Sequence, residues 1–102
     1  MVNVNNIMGL INVIMGNNGL IMEEHFTTNE ITMYGFSVGG SYEKGNLISM
    51  ELILSNKDLQ NNVYRVKELN TYVQNNGKGW VEHGTVNMEQ LQQITKQLVK
   101  NN

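Results

Sequence analysis

The clearest periodicity along the chain lies at 47–54, where Ile48, Met50, Leu52 and Leu54 alternate with Ser49 and Glu51. Successive side chains of an extended chain point to opposite faces, so this spacing predicts a strand with one buried side. The stretch 30–38 is rich in β-branched and aromatic residues and reads as another strand. Ile31 and Met33 would face one side of it, and Thr32, Tyr34, Phe36 and Val38 the other. Thr28-Asn29 supplies the turn before it, and Gly35 marks a place for a bulge. Upstream, Gly16-Asn17-Asn18-Gly19 separates two apolar runs. Glycine and asparagine accept the positive φ of tight turns, so this pattern predicts a hairpin with strands at 7–15 and 20–27. Turn-forming residues fill 39–46.

From residue 55 the period changes. Leu59, Val63, Val66, Leu69 and Val73 recur at intervals of four, three, three and four, one stripe of an amphipathic helix over 56–75. Ser55 and Asp58 form a start signal, and Asn76-Gly77 stands where a left-handed residue closes a helix. A rival reading makes 63–67 a short strand, because valine and tyrosine favour sheets. Residues 79–86 read as a further strand. Asn87 then caps a last helix, with Gln90 at the capping-box position and Leu91, Ile94 and Leu98 as its apolar stripe. The predicted order is β-β-β-β-α-β-α. It describes an α+β fold with a mainly antiparallel sheet of about five strands and two helices packed on one face.

A chain of 102 residues fits a single domain, 1–102, since a split would leave two pieces too small to stabilise their own cores. Apolar residues make up 40% of it, which is too many for a disordered chain. The absence of cysteine excludes disulfides, thiolate metal sites and cysteine nucleophiles. Seven bases against nine acids give a formal charge of -2, without the basic surplus of a non-specific nucleic-acid binder. Residues 1–55 hold five acids and one base (-4), and residues 56–102 hold four acids and six bases (+2), a split that could orient self-association. The apolar run at 7–22 is cut by Asn12 and by the turn, and lacks a basic flank and a small-residue cleavage site. The expectation is a soluble, unexported, cytoplasmic protein with no membrane partner.

Candidate chemistry is sparse. The decapeptide Asn75-Asn76-Gly77-Lys78-Gly79-Trp80-Val81-Glu82-His83-Gly84 holds the only tryptophan and one of two histidines. Its Gly-Lys-Gly lacks the spacing of a phosphate loop. Trp80 beside Lys78 can act as a stacking platform near a cation, or it can start a strand and pack against the sheet edge. His25 and His83 are the conventional acid/base residues, with Glu23 and Glu24 near one and Glu82 near the other. On an unbroken strand Glu23 and His25 share a face. No spacing of His and carboxylates resembles a metal site, and no serine sits in a nucleophile elbow. Arg65, the only arginine, grips anions bidentately and stands close to Lys67.

Taken together, these features predict a small non-enzymatic binding protein without cofactor or metal. The first apolar hairpin carries Leu10 and Ile14 on one face and Ile11, Val13 and Met15 on the other. One helix layer cannot cover both faces, so self-association into a homo-oligomer through that hairpin is expected. Its ligand is expected to be a protein partner or a small anion held by Arg65, Lys78, Trp80 and His83. Compact chains of this kind occur among inhibitors and sequestering proteins of mobile elements. The alternatives are a small enzyme with an inter-subunit site using His25 or His83, and a structural subunit of a larger assembly.

Overall fold

The computed structural model describes residues 7–16, 19–38, 48–63, 65–72 and 79–100. Its elements are α1 (Ile7–Met15), β1 (Leu20–Thr27), β2 (Ile31–Val38), β3 (Met50–Ser55), α2 (Asn56–Gln60), β4 (Val66–Tyr72), β5 (Trp80–Gly84) and α3 (Met88–Lys100). The five strands form one antiparallel sheet in the order β1-β2-β3-β4-β5. The α+β class and the five-stranded antiparallel sheet are those expected from the sequence, with β2, β3, β5 and α3 close to their predicted places.

Two segments exchange roles. Residues 7–15 form α1, not the first strand of a hairpin. Leu10, Ile11 and Ile14 are buried there, so three of the five apolar residues expected to drive self-association through a hairpin lie in the core instead, while Val13 is half-buried and Met15 exposed. Their i, i+1, i+4 spacing gathers them on one side of a helix, while Met8 and Asn12 turn outward. The expected helix over 56–75 is also replaced. Among the described residues of that range only 56–60 is helical, and 66–72 is β4. The rival strand reading at 63–67 pointed the right way but lay too early. Val73, the predicted helix end at Asn76-Gly77 and the turn at 39–46 lie outside the described residues, as do Asn17 and Asn18 of the first turn.

The core lies between one sheet face and the two long helices. Tyr34 and Phe36 of β2, Met50, Leu52 and Leu54 of β3, and Val66 and Leu69 of β4 pack with Leu10, Ile11 and Ile14 of α1 and Leu91 and Leu98 of α3. Register explains why these strand residues share a face: Tyr34 opposes Leu52, which opposes Leu69, and Phe36 opposes Met50. Helix α3 starts with the predicted capping box. The Gln90 amide donates to Asn87 Oδ1 at 2.8 Å and the Asn87 amide donates to Gln90 Oε1 at 2.9 Å. By contrast, Ser55 occupies the N-cap of α2 but makes no side-chain cap bond.

Asparagine and threonine side chains tie the β1–β2 turn to the end of β3. Thr32 Oγ1 donates to Asn56 Oδ1, and Asn56 Nδ2 donates to the Thr28 carbonyl at 2.7 Å. No described helix is long and apolar enough to cross a membrane.

Candidate functional site on the open face of the sheet

Both long helices cover one face of the sheet, so the candidate site is built from residues that point the other way. One ladder row crosses all five strands. Glu24 pairs with Gly35, Gly35 with Glu51, Glu51 with Asn70, and Asn70 with Glu82. Directly paired residues of an antiparallel sheet share a face, so three carboxylates, one amide and one glycine lie in line. The glycine has a local cause. β1 carries an extra residue between Met22 and Glu24, and Gly35 sits opposite this bulge. A Cβ at Gly35 would lie 3.2 Å from Glu24 Cβ and 3.3 Å from Ile48 Cγ2, so both side chains close over the gap. The bulge predicted at Gly35 therefore falls on the neighbouring strand.

Next to this row, Tyr72 pairs with Trp80. Their rings meet edge to face, with centroids 5.5 Å apart and planes at 70°. Trp80 stays 44% exposed, so the expected packing against the sheet edge is partial. Asn70, two residues before Tyr72, is only 8% exposed, and its Oδ1 is buried without a hydrogen-bond partner among the described residues. An unsatisfied buried acceptor costs about 1–3 kcal/mol, so this oxygen is a site of unmet demand for a donor. Glu51, Asn70 and Tyr72 were hidden as a group in the sequence because a helix assigned over 56–75 separates Asn70 and Tyr72 from Glu82. Period two on β4 is the signal that unites them.

The residues singled out in the sequence are spread across the molecule. Trp80 is on the open face. His83, three residues further along the same strand, points to the helix-covered face, where its Nε2 lies 2.8 Å from Thr71 Oγ1. Arg65 precedes β4 and is held by its own chain: Nε and one terminal nitrogen donate to the two oxygens of Asp58 at 3.2 and 2.8 Å. This hydrogen-bonded pairing lowers the Asp58 carboxyl below its ordinary value and raises the Arg65 guanidinium. Lys78 lies outside the described residues.

No family model, curated protein or solved structure matches the chain.

Its chemistry is therefore read from the residues alone. The two histidines stand on opposite edge strands, His25 on β1 and His83 on β5. His25 stacks on Tyr34 with centroids 4.6 Å apart. Glu23, expected to share its face, instead accepts a hydrogen bond from Ser37 Oγ at 2.9 Å. Ser37 and Tyr34 point to opposite faces of β2, so the bulge at Glu23 has broken the alternation that would have joined Glu23 to His25. Among the described residues no three His, Asp or Glu side chains group closely enough to hold a metal ion.

Strand β1 is the second notable feature. It forms one edge of the sheet, and seven of its eight residues are not buried. Ile21, Met22 and Phe26 are 41%, 39% and 46% exposed, an apolar content unusual for an edge strand in contact with water.

Proposed function

We propose that this chain is a non-enzymatic binding protein that captures a protein partner by adding the partner's strand to β1. The observation that carries this reading is the eight-residue edge strand with Ile21, Met22 and Phe26 exposed along it. Strand addition takes its affinity from main-chain hydrogen bonds and its selectivity from alternate side chains, and β1 offers both. The charges on β1 narrow the partner. Glu23 and Glu24 occupy the middle of the strand, so a second copy paired about that centre brings acid against acid. A partner strand with lysine or arginine at its centre meets them favourably.

The reading is tested with the full chain and an eight-residue peptide alternating valine with lysine. Hydrogen exchange followed residue by residue should slow at β1 amides when the peptide is added, and leave β5 unchanged. Equal protection by a valine–glutamate peptide, or none at β1, would overturn it. Protection of β1 that grows with protein concentration without peptide would overturn the choice of partner and assign the edge to a second copy.

A further inference from the structure

The other edge of the open face carries a different chemistry, independent of strand addition at β1. We infer that Tyr72, Trp80, Glu82, Asn70 and Glu51 form a recognition site for a guanidinium group. Register sets these five side chains beside one another: Trp80 and Glu82 lie two apart on β5, Tyr72 and Asn70 two apart on β4, and Glu51 pairs with Asn70. The T-shaped Tyr72–Trp80 pair leaves an accessible indole, on which a flat cation stacks. Glu51 and Glu82 flank Asn70, and neither is ion-paired among the described residues.

Asn70 distinguishes this cluster from a solvated acidic surface. Its Oδ1 is buried and unpartnered among the described residues, and it needs a donor. A guanidinium brings five N–H donors in one plane, enough to serve a carboxylate and the amide oxygen while its face rests on the indole. The terminal torsion of asparagine is soft, so the oxygen can swing towards such a donor. A metal ion would make no use of the aromatic pair. Two sources could supply the group, a free alkylguanidine or an arginine side chain of a polypeptide.

Trp80 is the only tryptophan, so its fluorescence reports on this site without a label. The full chain is titrated at constant ionic strength with butylguanidinium and with butylurea, its neutral planar analogue. The expected result is a saturable change with the first and at least about tenfold weaker binding of the second. The double variant Glu51→Gln/Glu82→Gln should weaken butylguanidinium by about tenfold while unfolding at the same urea concentration as the parent. The Asn70 side-chain amide resonances should move with the same saturation curve. Equal binding of butylurea, unchanged binding by the double variant, or saturation without any movement of the Asn70 resonances would overturn the site. Absence of a saturable response in both fluorescence and resonances would do the same. Agmatine and N-acetylarginine methylamide then separate the two sources, the tighter one showing whether a free metabolite or a peptide-borne arginine is held.

Discussion

Single side chains make two unlike contributions at the β1–β2 end of the sheet. Asn56 is half-buried and acts as a clasp, accepting from Thr32 and donating to the Thr28 carbonyl. Asn56→Ala should cost about 1–3 kcal/mol in urea unfolding, because it removes the side-chain hydrogen bonds to Thr32 and to the Thr28 and Ile31 carbonyls. Asn56→Asp should also lose stability, since a carboxylate cannot donate to the Thr28 carbonyl. The Asp58–Arg65 pair is different in kind, because Arg65 is exposed, Asp58 lies half-buried at the surface, and water screens the pair. The Asp58 carboxyl is lowered in the folded chain, mainly by its hydrogen bond from Arg65. Whatever the pair contributes is present above the unfolded aspartate value and is lost as pH falls through the lower folded value. Arg65→Met should raise the Asp58 titration midpoint measured by carboxyl resonance shifts. If the midpoint stays where it was, the hydrogen bond is not its cause.

Whole elements separate into those that a local pattern can specify and those that cannot be read without their neighbours. Helix α3 belongs to the first group, because Asn87 and Gln90 bond each other's amides as their spacing required. Asn87→Ala should destabilise the protein by about 1 kcal/mol and Asn87→Gly by only a few tenths, read from thermal or urea unfolding. Strands β2 and β3 were equally legible, since their alternation is unbroken. Strand β4 was not. Its pairing with β3 shifts at Ile53/Leu54, so Val66 and Leu69, both core residues, are three apart instead of two. A bulge therefore imitates the spacing of a helix, and Leu59 and Val63 before it completed the illusion. Helix α1 failed for another reason: the β-branched Ile7, Ile11, Val13 and Ile14 favour a strand, and only packing on the sheet overrides that preference. The open-face site inherited the β4 error, because its residues come together only when β4 is extended.

At the scale of the molecule, the decisive property is the inequality of the two sheet faces. Leu52 and Ile53 are chain neighbours on β3, yet Leu52 is fully buried under the helices and Ile53 is only half-buried on the open face beside Glu68. Removing buried methyl groups costs their transfer free energy and leaves a cavity that the surroundings fill incompletely. Leu52→Ala should therefore lose about 2–5 kcal/mol. Ile53→Ala removes a similar amount of hydrocarbon from a site already open to water, and about 1 kcal/mol is expected. Both values come from urea unfolding, where an unchanged slope shows that stability alone has moved. Two equal losses would mean that the open face is covered in solution, by a second copy or by another part of the chain. Measured over a range of protein concentrations, the same pair separates these cases. Coverage by a second copy makes the Ile53→Ala loss grow with concentration, whereas coverage within one chain does not. A small, concentration-independent loss at Ile53 would leave that face free for ligands.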